Sequence, residues 1–373
     1  MINLPPLWKI RREVRRIGSV PARGLRGALI EQPRQWVYDH RVEQLHRLHT
    51  GHGTLTERVA VLVLFQPNGV APSVQLTLDH LAAEDWSVLV VSNAPLGKTD
   101  AAMLMERSAL VLERPNVGYD FGGYRAGFRL LASIGHRPTR LILMNDSTWF
   151  PLREADDTLR RMEGLGAAMA GHIFKTEEGR GCDHLESHLL MFSPEALGHS
   201  ALARFWRGYV MSDDRVATIW RGEKGLTQEM LRAGLEVEGL IDHDIFLARL
   251  RELDDVALLR VLKELTHHRT DAASQCAALA EAAVQGENWR ADFLNWVDGV
   301  LANSRQHLVS ATFVAPAMRL CGMGFLKKTR DRRFHLARAK ILEMEDAGRI
   351  EPLHPAVRAE IAAAVDGWRS SSD

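Results

Sequence analysis

Two short stretches carry residue types that suit a ligand site, and both follow apolar runs. The first is Asn116-Val117-Gly118-Tyr119-Asp120-Phe121-Gly122-Gly123-Tyr124-Arg125. Glycines at this spacing let backbone N–H groups approach a ligand, and a helix that follows directs its positive end at it. Asp120 is placed either to cap that helix or to hold a base or ribose hydroxyl, while Arg125 can meet a phosphate. The spacing is that of neither a dinucleotide fingerprint nor a P-loop. A tight turn before a capped helix explains it equally well. The second stretch runs from Leu141 to Pro151, where Leu141-Ile142-Leu143-Met144 gives way abruptly to Asn145, Asp146 and Ser147. A carboxylate at such a strand end takes one or two positions on Mg²⁺ or Mn²⁺, leaving the rest to diphosphate oxygens and water. That offsets charge developing on a nucleotide-diphosphate leaving group. The plain alternative is an Asx-turn that ends the strand. Both motifs at one sheet edge point to a ligand site.

His184-Leu185-Glu186-Ser187-His188 has the look of a metal motif but the wrong setting. Its histidines share an ion only on a helix, and Leu189-Leu190-Met191-Phe192 reads as a strand. On a strand they stand about 13 Å apart, too far for one metal. His184, Glu186 and His188 then share a strand face that can line a polar cleft. Trp149, Phe150, Phe205 and Trp206 can stack on sugar rings, although core packing is the stronger reading for Phe205 and Trp206.

The elements that must position these residues alternate. Residues 59–65 form a continuous apolar run, as a strand buried on both faces of a parallel sheet does. Leu76, Leu78 and Leu81 suit a following helix. Residues 86–93 and 108–113 give two more strands, residues 116–123 a glycine-rich turn, and residues 141–144 a fourth strand after a helix ending near Ser133. This is the pattern of a doubly wound α/β sheet, which binds ligands beyond the carboxyl ends of its strands. After about residue 245 strand signals fade, and stretches such as 272–284 and 334–345 read as helices. Residues 308–326 suit a buried helical hairpin rather than a membrane span, since Pro316 and Arg319 interrupt them. The division expected is a basic arm over 1–57, an α/β domain over 58–250 and a helical C-terminal region over 251–373.

Composition narrows the function classes. The 373 residues hold 47 Lys+Arg and 47 Asp+Glu, a balance that argues against binding a nucleic-acid backbone. Cys182, Cys276 and Cys321 are too few and scattered for a disulfide framework or a four-cysteine zinc site, which fits a reducing, cytoplasmic setting. No secretory signal is evident. Charge is uneven locally. Residues 1–26 hold seven basic residues against Glu13 alone, a net +6, with Leu4, Leu7, Trp8, Ile10, Val14 and Ile17 among them. A basic amphipathic helix of this kind lies on an anionic membrane surface, here the inner face of the cell membrane. The alternative is an arm packed on its own protein.

In order along the chain, these motifs resemble the rhamnan synthesis F proteins, bacterial polysaccharide glycosyltransferases. The series runs from strand 59–65 through the Asn116–Tyr124 and Leu143–Ser147 motifs to the His184–His188 motif and Phe192. It continues with Phe205-Trp206, Glu223, Leu226-Thr227 and Gly234, and echoes later in Asn303, His307 and Gly324-Phe325-Leu326-Lys327-Lys328. Coverage is roughly residues 58–245, with a looser match to about 330. The resemblance implies a GT-A-like, Rossmann-type sheet and transfer of a sugar, often L-rhamnose from dTDP-rhamnose, to a polysaccharide or lipid-linked glycan acceptor. It carries Asn116, Gly118 and Asp120 over as nucleotide-sugar contacts and puts Asn145-Asp146-Ser147 in the place of the usual metal motif; Tyr119, Gly122, Gly123, Arg125, Asn145, Ser147 and His184 complete the expected substrate-binding set. Asp146 becomes the holder of Mg²⁺ or Mn²⁺, with one carboxylate where the usual metal motif has two. Glu223 and Glu186 are the candidates for general base. A nucleotidyltransferase and a catalytically silent scaffold of a polysaccharide-assembly complex are the competing readings.

Overall fold

The computed structural model describes residues 30–176, 182–302 and 309–370. The basic stretch 1–26, Asn303 and His307 lie outside them. The expected mixed α/β architecture is present: a nine-stranded sheet flanked by helices, followed by a helical C-terminal region.

The apolar run becomes β2 (Arg58–Leu64), and its two buried faces dictate the layers around it. Ala60, Leu62 and Leu64 point into one core, Val59, Val61 and Val63 into another. On the second face lies the helix Tyr119–Ser133, with Trp206 from the helix Ser200–Gly208 beyond it. On the first lie the helix Pro72–Ala83 and most of the C-terminal helices, which share one continuous core with β2 through Phe246, Phe293, Phe313 and Val357. The C-terminal region is therefore the second layer of the sheet rather than an appendage.

The remaining main strands are β1 (Arg47–Thr50), β3 (Ser87–Ser92), β4 (Leu110–Glu113), β5 (Arg140–Asn145), β7 (Met169–Lys175), β8 (His184–Leu185), β9 (Leu189–Phe192) and β10 (Val237–Ile241); β6 (Thr148–Trp149) pairs separately with β11 (Leu326–Lys327). The sheet order is β1-β4-β3-β2-β5-β9-β7-β10, with β8 on β7. β2 runs parallel to β3 on one side and to β5 on the other. The chain winds outward from β2 to β4 and then returns to β5. A topological switch point thus lies between the carboxyl ends of β2 and β5, where such sheets leave a crevice.

Three expectations are corrected. Residues 184–192 are not one strand. β8 and β9 both pair with β7, but two extra residues between them bulge out at Glu186–His188, so the three polar side chains do not line one face. Residues 309–326 are not a hairpin: the helix Val314–Cys321 ends at Gly322 (φ +60°) and the chain passes into β11. Trp149 and Phe150 are buried in the core rather than open to a sugar ring, whereas Trp206, stacked on Phe128 at 5.8 Å, lies in a core as its stronger reading had it.

Gly123 of the first motif, and Gly127 just beyond it, also serve the packing of the helix. A Cβ on Gly123 would stand 2.6 Å from Val63, and one on Gly127 2.5 Å from Val61. These positions let the helix lie close against β2. Gly127→Ala is therefore expected to destabilise the protein by about 1–3 kcal/mol through overpacking, despite the roughly 1 kcal/mol alanine adds in helix propensity. In urea melts the double variant Val61→Ala/Gly127→Ala should lose less than the two single variants summed, because the smaller valine replacement vacates the clashing volume.

Candidate active site

Asp146 sits at the switch point, tied to both strands. Its backbone N–H donates to the Val63 carbonyl at 3.1 Å, and its Oδ2 accepts from the Phe65 N–H at 3.1 Å. Asn145 orients its neighbours. Its Nδ2 donates to Asp120 Oδ2 at 3.0 Å, and its Oδ1 accepts the backbone N–H of Ser147 at 3.0 Å. The two sequence motifs therefore meet directly, as expected of one sheet edge.

The turn before Asp120 is fixed from behind. Gly118 takes φ +77° and Tyr119 φ +52°, a conformation few side-chain-bearing residues adopt. The buried Arg114 donates to the carbonyl of Val117 at 2.7 Å and to Asn93, which in turn donates to the carbonyl of Tyr119 at 3.2 Å. The helix starts at Gly118 with no side-chain cap, so Asp120 is not its cap. Its carboxylate instead faces the site from the helix's first turn.

Glu223 reaches the same place from the helical turn Ile219–Lys224. Its Oε2 accepts from the Ser187 N–H at 2.9 Å and the Ser187 hydroxyl at 2.7 Å, and His184 Nε2 lies 3.5 Å from Oε1. The bulge between β8 and β9 supplies these partners. It also presents the Ser187 carbonyl to the Tyr124 hydroxyl (2.8 Å) and the His188 carbonyl to the Asn145 N–H (3.1 Å).

Asp120, Asp146 and Glu223 thus come from a helix start, a strand end and a helical turn. Burial pushes the Asp120 carboxyl up to about 7, helped by the charges of Asp146 and Glu223 and opposed by Arg215. Burial also raises Asp146, against the pull of Lys328. Crowded carboxylates in a depression are a site in which a cation or a transferable proton is stabilised.

Lys328 is the component that sequence reasoning overlooked, although the Gly324–Lys328 echo contains it. β11 brings it in: its backbone N–H donates to the Ser147 carbonyl at 2.8 Å, and its ammonium lies 3.4 Å from Ser73 Oγ. The small cavity at the end of β2 and β5 is lined by Asn145, Asp146, Ser73 and Lys328. Glu360, from the helix Pro355–Ser370, braces this corner by accepting from the Ser73 N–H (2.7 Å) and Trp149 Nε1 (2.8 Å).

Other expected residues stand apart. Arg125 is buried and bonded by both Nη atoms to Asp39, at 2.8 and 2.9 Å, so its guanidinium anchors residues 30–45 and is not free for a phosphate. A Cβ on Gly122 would strike the Val117 carbonyl, which makes this glycine a packing requirement of the turn. Asn116 is exposed on the loop. Glu186 is buried between Lys175 and Lys327, the latter at 2.7 Å. Burial alone would raise its pKa, but the two lysines and His188 hold it well below the usual carboxylate range, which makes it a weak base. Behind it His188 stacks on His172, whose pKa burial lowers to about 3.

Comparison with known proteins agrees with the sequence motifs. Residues 88–253 match the family model of rhamnan synthesis protein F. That span runs from β3 to the helix after β10 and includes Asp120, Asp146, Ser187 and Glu223. β2 and Lys328 fall outside it. The name of that family refers to rhamnan synthesis. The chain is also 28% identical over 338 residues to the uncharacterized protein y4gN of Sinorhizobium fredii (strain NBRC 101917 / NGR234), across 90% of this chain and 87% of that protein.

Two measurements follow from this geometry. The folded Asp120 holds its proton to about pH 7, whereas an unfolded aspartate releases it near 3.9. The native state therefore binds more protons between these values, and stability falls as pH rises through that window. Asp120→Asn should melt higher than the parent at pH 8, by on the order of a few kcal/mol, and no higher below pH 4. Glu186→Gln leaves Lys175 and Lys327, each about a fifth exposed, without their carboxylate and should cost about 1–3 kcal/mol in denaturant unfolding.

Proposed function

We propose that the protein is a glycosyltransferase that moves a sugar from a nucleotide-diphosphate donor onto a polysaccharide or lipid-linked glycan acceptor. The observation carrying this reading is that Asp120 and Asp146 meet at the switch point through Asn145, with the Asp120 carboxyl pushed up to about 7 by burial and by the charges of Asp146 and Glu223. Such crowding suits a site that takes up a divalent cation with its substrate. Asp146 and Asp120 would hold Mg²⁺ or Mn²⁺, which when bound supplies positive charge to the departing diphosphate. Among the described residues no three of His, Cys, Asp and Glu converge on one point, so donor oxygens and water would complete the coordination.

The chain's own residues do the rest. The lysine ammonium at position 328 adds fixed positive charge beside Asp146. Glu223, oriented by two hydrogen bonds from Ser187, takes the proton of the acceptor hydroxyl as its oxygen bonds to the anomeric carbon and the bond to the diphosphate breaks. The family's description, rhamnan synthesis, favours L-rhamnose from dTDP-rhamnose as the sugar.

Thermal melting of the full chain with dTDP, dTDP-rhamnose, UDP and UDP-glucose, each with and without Mn²⁺, tests this. A ligand at 100 times its dissociation constant adds about 2.7 kcal/mol, so one donor class should raise the melting temperature by a few degrees. Asp146→Asn should lose that rise and at least a hundredfold in transfer, with its own fold intact. A cooperative melt unmoved by any nucleotide would overturn the reading in favour of a silent scaffold.

A further inference from the structure

Residues 30–45 wind as consecutive helical turns, Gln32–Val37, Tyr38–Val42 and Glu43–Leu45, whose two faces differ in an unusual way. The inner face is polar and fully engaged. Glu31 pairs with Arg221 and Ser212, Asp39 with Arg125, and Glu43 with Arg129. Tyr38 accepts from Arg114, and the Gln35 side chain accepts the Met211 N–H. All three acidic side chains of the segment are therefore spent inward.

The outer face is what a water-facing helix avoids. Ile30, Val37, Arg41 and Leu45, at spacings of seven and four, are all exposed, Leu45 to 76%, while the exposed Arg34 between them pairs with Asp213 at 3.5 Å. Trp36 is 59% exposed beside them, its ring 4.4 Å from that of His40. The edge strand β1 continues the pattern with exposed Arg47 and Leu48. A surface helix ordinarily turns polar groups outward. Here apolar and arginine side chains alternate, with a tryptophan among them. That is the composition of a segment lying in a lipid headgroup layer, where arginines meet phosphates and the apolar groups enter the acyl boundary. The chain immediately ahead carries seven basic residues against one acidic, and the surface and the preceding segment have the same sign.

We propose that the outward face of residues 30–48 docks the protein on an anionic lipid surface. Among the described residues no helix is long and apolar enough to cross a membrane, so the contact is peripheral. The site at the switch point would then work beside the membrane, where a lipid-linked acceptor is held.

The test is co-sedimentation of the full chain with vesicles of phosphatidylcholine alone or mixed equally with phosphatidylglycerol. At least tenfold more protein should bind the anionic vesicles, and raised salt should release it. One basic residue near such a surface contributes about 1 kcal/mol, or roughly fivefold. Arg41→Gln/Arg47→Gln should therefore bind on the order of 25-fold more weakly, and Trp36→Ala should also bind more weakly. Unchanged melting temperatures and donor binding would show that only the surface was altered. Equal binding to both vesicle types, no binding, or variants that bind as the parent does would overturn the proposal. So would a dimer in light scattering that Trp36→Ala dissolves without any vesicle binding, since a second copy would then cover this face.

Discussion

The parallel pairing of β2 with β5 is the constraint on which the site depends. It sets two strand ends side by side at the one place where the connections diverge. There the backbone N–H of Phe65 has no further strand partner, and Asp146 Oδ2 takes it. A carboxylate is thereby fixed at the switch point, in the small cavity it shares with Ser73 and Lys328. Every other functional group is positioned relative to it: Asp120 through Asn145, Lys328 through β11, and Glu223 through the bulge at Ser187.

Gathering three carboxylates opposes folding, and the surrounding structure has to offset that. Desolvation disfavours the ionised forms of Asp120 and Asp146, and at Asp120 the charges of Asp146 and Glu223 add to it. The opposing elements are rigid. Gly123 and Gly127 allow the helix carrying Asp120 to rest on Val63 and Val61, and buried Arg114 holds its turn. The C-terminal helices close the other face of β2 and deliver Glu360 behind Ser73. Rigid support of this kind keeps charged groups in place when neither relaxation nor water can relieve them.

The charge pattern of the N-terminal segment follows a related logic at larger scale. Arg125, Arg129 and Arg221 draw Asp39, Glu43 and Glu31 inward, and this leaves the outer surface with arginines and apolar groups. A net charge of zero for the whole chain conceals that separation. It says nothing of a single face.

Much of the fold was legible because local patterns are unambiguous where burial is two-sided. Residues 59–64 had to be a central strand, and Asn145-Asp146 had to end another, since an apolar run stops only where the sheet meets solvent. That located the sheet edge and two of the three carboxylates. The bulge that splits residues 184–192 was not legible, because apolar residues flank it evenly and only pairing with β7 counts the two extra positions. Nor could spacing reveal that Arg125 is consumed by Asp39, that Glu186 lies between lysines, or that Lys328 arrives 182 positions after Asp146 in sequence yet shares its cavity. Sequence by itself determined which residues could carry the chemistry and which edge would present them, because periodicity and burial are local properties. Only the tertiary structure decided which charges meet, because that depends on long-range contacts whose partners no local pattern encodes.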